Sequence, residues 1–242
     1  MMRSLSILII ALAVSLNLKA QSLEGSWKLV EENGRKITDK EVVRIYQDNY
    51  FAEGAKELSS NEFLWALGGE YDSEDYSVTL DFNTKSPEMV GDSIDPKLTF
   101  INENKIRINE VDEVQVWDKI SSEENALDGN WVITGRKRNG EMNRMTPGAR
   151  RTVKILGGDH FQWIAFNSET REFSGTGGGT YTSEDGKNTE NIEFFSRDKN
   201  RVGASLGFDY ELKDGEWHHS GKSSKGDPIY EIWSPYAEAY SK

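Results

Sequence analysis

The chain repeats itself. That constrains its fold more than any single motif, because each copy must close its own core within about 100 residues. Leu23-Glu24-Gly25-Ser26-Trp27 returns as Leu127-Asp128-Gly129-Asn130-Trp131. Val43-Arg44-Ile45 returns 110 positions later as Val153-Lys154-Ile155. At that same offset Phe51 meets Phe161, Phe63 meets Phe173, and Gly68-Gly69-Glu70-Tyr71 meets Gly178-Gly179-Thr180-Tyr181. Positions 43–71 and 153–181 thus align without a gap. Beyond them Leu80-Asp81-Phe82 answers Ile192-Glu193-Phe194, and Val90-Gly91 answers Val202-Gly203. Each copy closes on an aliphatic residue followed by Trp, at Val116-Trp117 and Ile232-Trp233. The join, residues 121–126, is short and polar, which places the two units at 22–120 and 127–236.

The hydrophobic period within each unit is two, the signature of strands. Across 201–212, Val202, Ala204, Leu206, Phe208, Tyr210 and Leu212 share one face, and small or polar residues share the other. Phe161, Trp163 and Ala165 alternate with His160, Gln162 and Ile164 less cleanly. Turn signals such as Gly157-Gly158-Asp159, Asp198-Lys199-Asn200 and Lys213-Asp214-Gly215 recur about every ten residues, the spacing of a sandwich or barrel. A capping box at Thr38-Asp39-Lys40-Glu41 allows one short helix. Hairpin connections throughout favour a meander, and closure into a barrel hides its two edges. The expected fold is all-β: two tandem up-and-down antiparallel β-barrels.

Residues 1–20 read as an address. A basic start, an apolar run from Leu5 to Val14 and a small residue at Ala20 form a secretory signal, cleaved after Ala20. The apolar run is shorter than the roughly 20 residues needed to span a bilayer. Export implies a periplasmic or secreted protein, and without cysteine its core alone must hold it together. The net charge is −12, which disfavours nucleic acid and anionic lipid. The protein is expected not to be an integral membrane protein.

Gly25-Ser26-Trp27 and Gly129-Asn130-Trp131 each open a meander, and in this they resemble the Gly-x-Trp signature of the lipocalins and the wider calycin group. The second copy is similar, more specifically, to lipocalin-like domains of secreted bacterial proteins. Gly177-Gly178-Gly179-Thr180-Tyr181, Asn191-Ile192-Glu193-Phe194, Trp217, Gly221 and Glu231-Ile232-Trp233 carry that likeness over most of 127–233. The resemblance implies a lipocalin-like barrel closed around its first Trp, with an apolar pocket open at one end. It also implies a basic side chain from the last strand laid across that Trp. Lys119 stands in the right place in the first copy; Ser234-Pro235 follow Trp233 in the second.

Motifs that suggest catalysis or metals have plainer explanations. Gly203-Ala204-Ser205-Leu206-Gly207 has the form of a nucleophile elbow, but it sits inside an alternating strand rather than at a strand-to-helix turn. Gly175-Thr176-Gly177-Gly178-Gly179 leads into a strand and not into a helix, which fits a bent strand better than a phosphate loop. His218 and His219 are neighbours, so in a strand they point to opposite faces and do not converge on a metal. The Ser-Glu-Asp triplets at 73–75 and 183–185 lack the alternating spacing of calcium loops. No catalytic residue, metal site or cofactor is expected, and the chain is not expected to be an enzyme.

Aromatic residues carry the functional expectation. Phe161, Trp163, Tyr181, Phe194, Phe208 and Tyr210 should face inward and line a pocket for a small lipophilic or aromatic ligand in the second barrel. The first copy has Glu53 where the second has Trp163, and Trp65 where the second has Gly175, so its interior should be more nearly filled. The alternative is a non-catalytic structural or interaction module of the cell envelope with closed barrel cores. No protein partner is indicated.

Overall fold

Turn residues at close spacing leave room only for short strands, and those strands form two antiparallel sheets. The computed structural model describes residues 21–110, 112–223 and 226–240, so the signal-peptide reading of residues 1–20 lies outside the described residues. The first sheet holds β1 (Gly25–Glu32), β2 (Arg35–Lys36), β3 (Lys40–Gln47), β4 (Tyr50–Glu57), β5 (Phe63–Tyr71), β6 (Val78–Asn83), β7 (Ser93–Ile94), β8 (Lys97–Asn102), β9 (Lys105–Asn109) and β10 (Val114–Ser121). The second holds β11 (Gly129–Arg138), β12 (Glu141–Arg144), β13 (Arg150–Gly157), β14 (His160–Asn167), β15 (Glu172–Glu184), β16 (Lys187–Phe195), β17 (Ser205–Lys213), β18 (Glu216–Lys222) and β19 (Pro228–Pro235). A short helix, α1 (Tyr236–Tyr240), follows.

The second sheet is a closed barrel, because β11 pairs with both β13 and β19; β12 is a hairpin extension of β11. The first sheet curls in the same order but stays open, since no ladder joins its edges β7 and β8. Those edges are consecutive in the chain, separated only by Asp95 and Pro96. A proline has no N–H to give a ladder, so the strand breaks there. The corresponding stretch of the second copy is the uninterrupted β17.

Two local expectations are corrected. The capping box at Thr38–Glu41 starts no helix: Lys40 and Glu41 pair with Glu57 and Lys56 in the β3–β4 ladder, where tertiary pairing overrides the local signal. The strand expected over 201–212 begins only at Ser205, because a 3-10 turn at Lys199–Arg201 takes up the preceding residues.

The repeat is reproduced in detail. The indole of Trp27 donates to the Leu23 carbonyl (2.6 Å), and that of Trp131 donates to Leu127 (3.0 Å). Trp117 lies opposite Leu29, as Trp233 lies opposite Ile133. Both copies carry a bulge at the second Gly of the pair, Gly69 and Gly179. A Cβ at Gly69 would lie 2.0 Å from the Thr79 carbonyl oxygen, and one at Gly179 would lie 2.0 Å from that of Asn191. Only glycine permits this approach of backbone to backbone. Lys119 does lie over Trp27, at 4.8 Å from the ring centroid, with its ammonium donating to the Ser22 and Glu24 carbonyls (3.0 and 3.1 Å).

The outer faces of the two sheets pack on each other. Ile45, Tyr50, Ala52 and Phe82 of the first sheet share one buried cluster with Val153, Ile155, Ile164 and Phe166 of the second. Phe63 stacks on Phe173, its own repeat equivalent, with ring centroids 6.1 Å apart. Contacts between equivalent residues mark a two-fold-like junction. This explains the untidy alternation of 160–166: Phe161 faces the barrel interior while Ile164 and Phe166 face the other sheet, so both sides of β14 are buried. Polar bonds pin the junction as well. The Gln162 amide donates to the Glu53 carbonyl (3.3 Å), Lys56 donates to the Glu193 carbonyl (3.0 Å), and Asp81 accepts from the hydroxyls of Tyr50 and Tyr236 (3.0 Å each).

Candidate functional site

Closing β11 onto β19 leaves a cavity of about 590 Å³ inside the second barrel, within the range of small-molecule sites. Trp163, Phe195, Phe208 and Trp233 give it aromatic walls. Gly177 makes room for the Trp163 indole, whose nitrogen would lie 2.9 Å from a Cβ there. Trp163 and Phe195 meet at 5.6 Å between centroids.

The cavity also carries charge, which the aromatic pattern did not foretell. Lys154 pairs with Glu190 at 2.6 Å, and both side chains are almost fully buried. Its ammonium lies 5.2 Å from the Trp217 ring and 5.4 Å from that of Trp233, where cation–π attraction adds to the ion pair. Arg136 pairs with Glu231 at 2.6 Å nearer the surface. Arg197 lies over Gly175, where its Nε would be 2.7 Å from a Cβ, so a guanidinium occupies space that the first copy gives to Trp65. In all, Arg136, Lys154, Arg197 and Arg201 stand against Glu190, Asp198 and Glu231.

His219 completes the wall, tilted against Phe208 at 4.2 Å and edge-on to Trp217 at 5.0 Å between ring centroids. Burial pushes its imidazole well below the ordinary value of 6.5, and the Lys154 charge acts in the same direction. The native state therefore keeps this ring neutral while the unfolded chain takes up a proton near pH 6.5. Protons bound only by the unfolded state make stability rise with pH. Stability should fall by up to about 1.4 kcal/mol per pH unit as pH drops below the unfolded value, and this contribution should be flat above it. Urea titrations between pH 4.5 and 8, compared with His219→Phe, check this: the gap between wild type and variant should shift steadily below pH 6.5. A pH-independent gap would refute it.

The six aromatic residues expected to line the pocket fall into three groups. Trp163 and Phe208 line the cavity. Phe161 and Tyr181 are 1 % exposed and belong to the packed core with Leu127 and Trp131, with Tyr210 against that core from a half-buried position. Phe194 does not face inward. The bulge at Gly178/Gly179 makes Glu193 an extra residue opposite β15, which inverts the alternation. Phe194 therefore points at Gly54 and stacks on Phe63 of the first sheet, and Phe195 takes the inner position. The charged residues of the cavity were missed, although one signal was present: a basic residue, Arg44 or Lys154, stands at the same place inside an apolar run of both copies.

The motifs set aside in the sequence sit as follows. Ser205 is exposed at the start of β17, and the Gly175–Gly179 run lies within β15. His218 bonds Tyr230 through Nδ1 (2.9 Å). Among the described residues no group of three His, Cys, Asp or Glu could hold a metal, and no helix is long and apolar enough to cross a membrane. No protein-family model matches the sequence, and no curated protein matches it.

The interior of the first sheet differs. Its cavity is smaller, about 190 Å³, with apolar walls that include Leu29, Phe51 and Leu80. Glu53, in the place of Trp163, is buried but paired: Arg44 reaches it at 2.6 Å, and the Trp65 indole donates to its other oxygen at 2.7 Å. Burial opposes the Arg44 charge, but Tyr46 and Glu53 outweigh it and hold its pKa above the ordinary value. The guanidinium also lies 4.4 Å from the Trp117 ring centroid, as Lys154 lies near Trp233. Each copy thus holds one buried cation against its final Trp.

Proposed function

We propose that this is an exported, lipocalin-like, non-catalytic binding protein that holds a small molecule in its second barrel. The observation that supports this best is the cavity of about 590 Å³, too large to be a packing defect in a close-packed interior. Its walls favour a ligand with an aromatic or apolar body, laid against Trp163 and Phe208, and with polar groups that can meet the Arg136–Glu231 and Lys154–Glu190 pairs. A purely lipophilic ligand, the expectation from the aromatic residues alone, would leave these charges poorly solvated.

The test is native mass spectrometry of protein purified from its own host, followed by extraction and re-binding of any co-purified molecule. Ala165, on the cavity wall, is the position to fill. Ala165→Trp should abolish re-binding, and Trp163→Ala should weaken it about tenfold or more, as loss of a buried aromatic contact does. Re-binding unchanged by both substitutions in folded protein would reject the second barrel as the site. A protein that never carries a ligand would favour the interaction module.

A further inference from the structure

The rim of the second cavity is the rim of the first with its cover removed. By the repeat, Gly175 stands for Trp65, Gly177 for Leu67 and Arg197 for Lys85. In the first copy the Lys85 ammonium rests on the Trp65 ring, 4.6 Å from its centroid, so an aromatic face covers the charge. In the second copy no side chain stands at that place. A Cβ at Gly175 would lie 2.7 Å from the Arg197 Nε, and one at Gly177 would lie 2.9 Å from both the Trp163 indole nitrogen and the Phe195 ring. Two glycines on one face of β15 thus leave the space in which a guanidinium and two aromatic rings lie side by side.

Arg197 is held in position but lacks a counter-charge. Its Nε (2.8 Å) and Nη2 both donate to the Ser174 carbonyl. Of the five N–H groups of a guanidinium, this leaves those at the end formed by Nη1 and Nη2, a fork that matches the two oxygens of a carboxylate. Among the described residues no carboxylate pairs with Arg197. The other three cations of the cavity each have one: Lys154 with Glu190 and Arg136 with Glu231 at 2.6 Å, and Arg201 with Asp198 at 3.6 Å. The cavity walls therefore carry one more basic than acidic side chain, in a protein whose net charge is −12. A fixed surplus cation beside low-dielectric walls favours an anion.

We propose that Arg197 sets the ligand class of the second barrel: an aromatic or apolar carboxylate, with its body against Trp163 and Phe195 and its two oxygens on the free end of the guanidinium. This rests on the reading of the second barrel as a binding site and adds the charge of the ligand. Arg197 is exposed, so the carboxylate stays at the rim while the body enters the cavity.

The experiment is calorimetric titration of the purified protein with three probes that share one ring system: naphthylacetate, naphthylethanol and naphthylethylammonium. The carboxylate should bind about tenfold more tightly than the alcohol, the effect of one charge-assisted bidentate contact, and the ammonium should bind more weakly than either. Arg197→Gln should bring the carboxylate down to the affinity of the alcohol and leave the alcohol unchanged. Lys85→Gln, the same change in the first copy, should leave all three unchanged. Ala165→Trp should abolish binding of every probe. Equal binding of the three probes, all lost in Ala165→Trp, overturns the choice of an anion while the second barrel remains a binding site. Carboxylate binding that survives Ala165→Trp overturns both readings. Failure of all three probes to bind, or selectivity lost through Lys85→Gln and kept in Arg197→Gln, overturns the proposal as well. Arg197 is exposed and lies outside the packed cores, so Arg197→Gln should fold, and the ranking of the probes on the wild type is a test that needs no variant.

Discussion

Glu53→Ala should destabilise the protein by about 3–5 kcal/mol, the cost of leaving a buried charge without its partner. Arg44 and Glu53 are both nearly inaccessible, and the guanidinium meets one carboxylate oxygen through Nε and Nη2 at 3.0 and 2.6 Å. Removing the carboxylate leaves Arg44 with the Tyr46 hydroxyl (3.0 Å) and aromatic faces, and leaves the Trp65 indole without its acceptor. Replacing both charges, as in Arg44→Met with Glu53→Met, should recover most of the loss, because a well-packed apolar pair avoids the desolvation of two ions. Urea titrations of the two variants and the wild type measure this directly. A loss below 1 kcal/mol for Glu53→Ala would mean that water reaches Arg44 and that the interior is wetter than its packing implies.

Phe82→Ala should have an effect of similar size at the junction of the two sheets. Phe82 is 2 % exposed, packs on Phe166 at 5.4 Å between centroids, and belongs to the cluster that both sheets share. Truncating a buried Phe costs about 3–5 kcal/mol through lost burial and the cavity left behind. In a chain of this size that lowers the melting temperature by about 10 °C. Because the cluster draws on both sheets, the calorimetric trace should keep a single transition that moves as a whole. Two separated transitions, with only one of them lowered, would show that each sheet stands alone and that the junction adds little.

The repeat, the all-β class and the positions of the bulged glycines are written in the order of the amino acids. These follow from local chemistry. Period-two alternation decides strand over helix, turn residues set strand length, and a Gly-Gly pair at equal offsets marks a bend that no side chain could occupy. The cover of Trp27 by Lys119 was an implication of the family resemblance, and the pairing of β10 with β1 is what brings the two together.

Other features depend on which strands and faces meet in the folded chain. Pro96 was plain in the sequence, but that it opens a seam in the first sheet depends on which strands would have met there. Phe194 could not be assigned a face by counting from Ile192, because a bulge adds one residue and inverts every side chain after it. The outward residues of β3, β4, β13 and β14 looked like imperfect alternation; their meaning required the second sheet that buries them. The charges inside both cavities were hidden for the same reason. Arg44 finds Glu53 across one ladder, but Lys154 finds Glu190 three strands away, 36 positions along the chain. A sequence shows that a charge is present, whereas its partner, and hence whether it can be buried, is a property of folded distance.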